Sequence, residues 1–278
     1  MRLDCATCVT ALALSAAFVP PAFAQAPAAP ATPPPPEHTF TANVGLFSEY
    51  IFRGISQTGG KPAIQGGFDY AHASGFYAGT WASNISWLED FGAYSHSSVE
   101  WDVYAGFKNN FPDSDFFYDL GVYGYLYPGS RNPGAVDADT WELYGALGWK
   151  WASAKFSYSL TDYFGARPDA NARKTDGTWY IDASATYPIG ETGFAILAHV
   201  GHLDVRHDGS DGDFATLGKV SYTDWKLGAS YTVTDGLFKN VEVGAYYTGN
   251  DAKSRFYTDL SGYNTAKDRG VVYVKKAF

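Results

Sequence analysis

Val99-Glu100-Trp101-Asp102-Val103-Tyr104-Ala105-Gly106-Phe107-Lys108 decides how the chain is read. Val99, Trp101, Val103, Ala105 and Phe107 are apolar, and the residues between them are charged, hydroxylated or glycine. Successive side chains of a β-strand point to opposite faces, so this period of two gives one greasy face and one polar face. Trp141, Leu143, Leu147 and Trp149 repeat the pattern against Thr140, Glu142, Tyr144 and Lys150. Near the start, Phe40, Ala42, Val44 and Leu46 alternate with Thr39, Thr41 and Asn43. Similar stretches lie near 62–71, 75–86, 115–127, 154–163, 178–187, 193–203, 221–233, 240–249 and 270–278, which makes twelve strands. In 193–203, Leu197 opposes the face formed by Phe194, Ile196, Ala198 and Val200, so its phase is ambiguous.

The connections sort themselves by length. Short links fall around Ala73-Ser74-Gly75 and at Asn109–Ser114, Ala152-Ser153, Pro188–Thr192 and Thr234–Lys239. Longer ones span Ile55–Lys61, Trp87–Ser98, Pro128–Asp139, Phe164–Gly177, Asp204–Val220 and Gly249–Arg269. Strict alternation of short and long links suits an all-β transmembrane up-and-down antiparallel barrel, with tight turns on the periplasmic rim and long loops outside. Strands of about ten residues are what a tilted strand needs to cross the hydrocarbon layer. Aromatic residues at strand ends (Tyr50 with Phe52, Tyr125 with Tyr127, Trp149 with Trp151, and Tyr187) are expected to form an interfacial girdle. A secreted β-sandwich is the soluble alternative that also shows alternation.

Composition points the same way. Among 278 residues, 18% are charged and 17% aromatic, with 30 glycines. So many aromatics exclude a disordered chain. The apolar residues are too dispersed for a helical span outside the N-terminus. A net charge of −9 argues against a nucleic-acid partner. Residues 1–24, with Arg2, the apolar stretch Cys8–Val19 and Ala22-Phe23-Ala24, read as a cleavable signal peptide. Both cysteines, Cys5 and Cys8, lie within it, so the exported part needs no disulfide and has no thiol for catalysis or zinc. Residues 25–37 read as a proline-rich spacer, which leaves 38–278 for the barrel.

The words Tyr50-Ile51-Phe52-Arg53-Gly54-Ile55-Ser56-Gln57-Thr58, Pro62-Ala63-Ile64-Gln65-Gly66-Gly67-Phe68-Asp69-Tyr70, Gly75-Phe76-Tyr77-Ala78-Gly79-Thr80-Trp81-Ala82-Ser83-Asn84 and Glu100-Trp101-Asp102-Val103-Tyr104-Ala105-Gly106 come in order. In this the N-terminal third resembles the TorF-type porin family, also catalogued as Gcw_chp. The resemblance implies an outer-membrane barrel with a pore and names no solute. Phe278, closing Val272-Tyr273-Val274-Lys275-Lys276-Ala277, resembles the terminal signal by which the barrel-assembly machinery recognises outer-membrane proteins.

If the polar faces turn inward, the pore-lining candidates are Glu49, Arg53, Asp69, Glu100, Asp102, Lys108, Asp119, Glu142, Lys150, Asp182 and Glu242, with Lys155 and Lys226 beside them. Arg53 is read as the continuation of the first strand, on the same face as Glu49 and Ile51. Buried charges need partners, so one reading is a satisfied network that holds the barrel's shape. The other is an acidic constriction favouring cations or neutral polar solutes. Strand glycines such as Gly79, Gly106, Gly121 and Gly148 suit a curved wall covered by neighbouring rings. His96 and Ser98, with Asn84 on the preceding strand, are the catalytic candidates, but their Ser-rich loop offers no fixed geometry, and His72 with Ser74 is the weaker pair because it occupies a tight turn. Asp204–Asp213 is acidic and Gly-rich, yet it lacks the spacing of a calcium loop. His199 and His202 sit three apart and should face opposite sides. The expected function is passive diffusion of small polar solutes, with a non-conducting surface barrel and a lipid-modifying enzyme as alternatives. No cofactor is expected.

Overall fold

A computed structural model of the protein describes residues 36–167, 173–207 and 220–278. The signal peptide and nearly all of the spacer therefore lie outside the described residues, as does 208–213 of the acidic loop. The twelve long strands are β1 (His38–Phe47), β2 (Ala63–His72), β3 (Phe76–Asn84), β4 (Val99–Asn110), β5 (Phe116–Leu126) and β6 (Thr140–Trp149), followed by β7 (Ala152–Ser159), β8 (Trp179–Pro188), β9 (Phe194–Asp204), β10 (Tyr222–Thr232), β11 (Val241–Asn250) and β12 (Arg269–Ala277). Each pairs antiparallel with its sequence neighbours, and β12 returns to β1 to close the barrel. At that seam Phe278 donates its N–H to the Ala42 carbonyl at 2.9 Å. Closure leaves no strand edge unpaired, which a wall in hydrocarbon requires.

The two faces separate as the alternation demands. On β5, Leu120 is 57% exposed and its neighbour Asp119 6%. Phe68, Leu143, Leu147, Val200, Leu227 and Val272 carry the outer apolar band. The protein is thus greasy outside and polar inside, the arrangement of a barrel solvated by lipid. In β9 the ambiguity resolves with Phe194, Ile196 and Val200 outward and Leu197 buried within.

The girdle expectation holds in part and is otherwise corrected. Trp149, Trp151 and Tyr187 are exposed and stack edge-on at the short-turn rim, with centroids 5.7 and 5.0 Å apart. Tyr50, Phe52, Tyr125 and Tyr127 are instead buried inside the barrel. Lys150 is also corrected: β6 ends at Trp149, and Lys150 sits with positive φ in the tight turn to β7, where it pairs with Asp115 at 3.2 Å on the surface. β7 stops four residues before its expected end, because the chain turns at Thr161 into a short 3-10 helix, Tyr163–Gly165. The other departures from sheet are one helical turn, Trp87–Asp90, and a second 3-10 turn, Ser254–Phe256.

Candidate functional site: the barrel interior

The first long loop, between β1 and β2, does not stay outside. Ile51–Phe52 pairs with Ile55–Ser56 as a miniature hairpin, with Arg53 and Gly54 both at positive φ in its two-residue turn. That geometry matches the right-handed twist of a hairpin and usually takes Asn-Gly. Here Arg53 accepts it, and its contacts show why. The guanidinium donates two bonds to the Glu142 carboxylate on β6, at 2.9 and 2.8 Å, and a third to the Tyr163 hydroxyl at 3.1 Å. It also lies 4.3 Å from the centroid of the Tyr180 ring. Burial alone would work against its charge, and the bidentate Glu142 carboxylate compensates it.

The hairpin's backbone is gripped from the opposite wall. Tyr222 donates to the Arg53 carbonyl and Asn250 to the Gly54 carbonyl, both at 2.8 Å. A methyl group on Gly54 would stand 2.6 Å from Asp224 Cβ, so only glycine fits there. Phe52 meets Tyr125 and Phe164 edge-on at 5.5 and 5.6 Å. The loop therefore reaches across the lumen from β1 to β6, β10 and β11. The loop's base is tied as well: Glu49 accepts from Arg269 on β12 and from the backbone N–H of Gly60 at 3.1 Å.

Below and around the hairpin, most inward carboxylates are met by tyrosine. Tyr50 and Tyr127 donate to Glu100 at 2.6 and 2.7 Å, and Tyr123 to Asp102 at 2.8 Å. Tyr77 donates to Asp119 at 2.6 Å, Tyr104 to Asp69, Tyr180 to Asp224 at 2.8 Å and Tyr273 to Glu242 at 2.6 Å. Several of these rings lie over glycines on the next strand. Gly79 is directly opposite Tyr104, Gly106 opposite Tyr77, Gly121 opposite Tyr144 and Gly244 opposite Tyr273. An added methyl at Gly79 would come within 2.6 Å of the Tyr104 ring, and one at Gly106 equally close to Tyr77. The expectation that rings cover strand glycines holds, and the hydroxyls show what the rings are for: those of Tyr77, Tyr104 and Tyr273 each reach an acid, and that of Tyr144 meets the Tyr77 hydroxyl.

The expected inward residues fall into place with the exception of Lys150. Asp69, Glu100, Asp102, Asp119, Glu142, Asp182 and Glu242 are buried within, and Lys108 lies inside opposite Asp119. Glu49 and Arg53 are interior as well, brought there by the folded loop rather than by strand alternation. Lys155 opposes Asp182, and Lys226 is buried beside the Tyr246 ring at 5.2 Å. Among the described residues Asp224, Arg269 and Lys275 are further interior charges, the last paired with Glu242 at 3.2 Å. The alternation in β10 and β12 could have shown the first and third.

His199 and His202 do face opposite sides. His199 turns inward, with Nδ1 2.8 Å from Ser184 Oγ and Nε2 3.0 Å from Asp224, while His202 bonds Thr223 at 2.9 Å. A serine, a histidine and an aspartate are thus in series. However, Ser184 also donates to Asp182 at 3.1 Å, and the Tyr180 hydroxyl is 3.0 Å from the same Nε2. Ser184 lies in a strand paired on both sides, where backbone N–H groups serve the ladder rather than a developing oxyanion. The series is therefore read as part of the interior polar network. His96 and Ser98 are exposed near the long-loop rim.

A sequence profile described as "Bacterial protein of unknown function (Gcw_chp)" matches residues 29–278. No curated protein matches the sequence. Among solved structures, the KdgM porin is 11% identical with a TM-score of 0.47, covering 86% of this chain and 99% of that one. The NanC porin is 12% identical with a TM-score of 0.49 and the same coverage. OprD from Pseudomonas aeruginosa is 15% identical with a TM-score of 0.39, covering 86% of this chain and 64% of its own.

Proposed function

The chain belongs to the Gcw_chp family, whose function is unknown, and from its interior we propose a narrow porin of the bacterial outer membrane that passes small polar solutes by diffusion. The observation that carries this reading is the closed wall itself, apolar toward lipid and lined with charge, hydroxyl and amide toward its axis. The TorF-type porin resemblance agrees with this reading. Residues 1–24 would direct export, residues 25–37 would span the periplasmic side, and Phe278 would engage the assembly machinery; its exposed ring at the seam supports that last point. The protein acts as a conduit and not as an enzyme.

Selectivity follows from the charge inventory. Interior carboxylates outnumber the interior cations Arg53, Lys108, Lys155, Lys226, Arg269 and Lys275. Asp102 Oδ1 is buried and has no hydrogen-bond partner among the described residues. The path thus favours small cations and neutral polar solutes over anions. The inserted hairpin makes it narrow.

Planar-bilayer recording of the refolded protein tests this. Wild type is expected to give small, weakly cation-selective steps. Replacing Ile51–Ser56 with two glycines should enlarge them severalfold. If neither protein produces steps at any voltage, the porin reading is lost and the non-conducting surface barrel takes its place. Equal steps from both would show that the hairpin does not limit the path.

A further inference from the structure

We propose that Glu37, His38 and His72 form a site for a divalent late transition-metal ion, Zn²⁺ or Cu²⁺, on the short-turn rim of the barrel. His38 and His72 occupy directly opposed positions on β1 and β2, with ring centroids 5.2 Å apart. Glu37 immediately precedes β1. Its carbonyl accepts from the backbone N–H of Ala73 at 2.9 Å, which fixes it beside the turn that follows His72. One donor atom from each of the three residues lies within 4.8 Å of the other two.

The spacing suits coordination. His72 Nε2 and Glu37 Oε1 are 3.4 Å apart. Two ligands on a tetrahedral Zn²⁺, each about 2.0–2.1 Å from the metal, stand roughly 3.4 Å from one another. That edge is already formed, and only His38 has to swing inward. Both imidazoles are held from behind: His72 Nδ1 accepts from the Ser74 backbone N–H at 3.1 Å and lies 2.7 Å from Ser74 Oγ, and His38 Nδ1 is 2.9 Å from the Tyr70 hydroxyl, so an ion on His72 Nε2 would move the ring proton to Nδ1, where Ser74 Oγ accepts it. A hydroxyl on the second ring nitrogen orients a ligating histidine. Two imidazoles with one carboxylate favour zinc or copper over magnesium and calcium, which prefer all-oxygen sites. The Glu37 and His72 side chains are accessible, so an ion can enter and keep water in its open positions. The bound ion would tie the segment leading into the barrel to its first tight turn.

This site does not depend on whether the lumen conducts, so the two readings fail separately. The test uses the refolded protein in detergent, prepared without a polyhistidine tag and titrated with ZnCl₂ and CuCl₂ by calorimetry. Co²⁺ absorption then reports the ligand geometry. One saturable site per chain is expected. It should be lost in His38→Ala/His72→Ala and weakened in Glu37→Gln, and Tyr70→Phe should weaken it roughly tenfold. Circular dichroism and heat-modifiable gel mobility confirm that each variant is still a barrel. Wild type without saturable binding would overturn the proposal. So would a double variant that binds like wild type, because the ion would then belong to other histidines.

Discussion

The outer and inner halves of the lumen are built from the same wall and filled in opposite ways. In the outer half a loop folds back, and Tyr125, Glu100 and Asp102 are at most 2% exposed. In the inner half no loop enters among the described residues; Tyr77, Asp119, Leu197 and Glu242 are buried by side chains of the wall itself, while Thr39, Thr41, Asn43, Ser153 and Ser184 keep partial exposure. The difference follows from loop length. A tight turn such as Lys150–Trp151 has nothing to insert, whereas Ser48–Pro62 has enough chain to cross the barrel and return. A narrow pore can therefore be set by one loop while the strands keep a regular, uniform pattern.

Removing a carboxylate partner from each half should expose the difference most strongly. Glu142→Ala leaves the Arg53 guanidinium buried without its bidentate partner, and a loss of about 3–5 kcal/mol is expected in urea refolding. Glu242→Ala strands Lys275 near the short-turn rim, where its flexible stem can carry the ammonium toward water, so the loss should be clearly smaller. Equal losses would mean that the inner half is as dry as the outer.

Overfilling the inner half is the next test. Gly106→Ala places a methyl 2.5 Å from the Tyr77 hydroxyl and 2.6 Å from the Leu120 carbonyl. Such overpacking costs about 1–3 kcal/mol, read as a lower midpoint of thermal or urea unfolding. An unchanged midpoint would show that the tyrosine can step aside.

The finest comparison removes single hydroxyls. Tyr127→Phe deprives Glu100 of a bond where water has little access, for a loss of about 1–3 kcal/mol. Tyr104→Phe acts on Asp69 in the roomier half, where water can replace the hydroxyl, so about 1 kcal/mol or less is expected. A reversed order would invert the assignment of open and closed halves.

The barrel was legible in the sequence because alternation and link length are both consequences of crossing a bilayer with strands. The polar face was legible for the same reason, and the inward carboxylates follow from counting by twos. Counting failed at Ser48–Ile55. There the chain leaves the wall, Ile51 and Phe52 are both buried, and alternation no longer measures a face. Arg53-Gly54 flanked by apolar residues was the available sign of a two-residue turn. Lys150 leaves the inward face because β6 ends one residue before it. Tyr50, Phe52, Tyr125 and Tyr127 lie inside rather than in a girdle, and local pattern does not separate the two, because aromatics at strand ends fit a membrane interface or a packed lumen equally well. The pairing of tyrosine with carboxylate depends on which strands close on which, and no local pattern encodes that.

The tyrosine rings seated over glycines on the facing strand also act as keys for assembly. If β4 slid by two residues along β3, Tyr104 would no longer lie over Gly79 and would meet the bulk of Tyr77 or Trp81 instead. A mis-registered pair would therefore clash, so the fit of ring to glycine favours the native alignment over its two-residue neighbours.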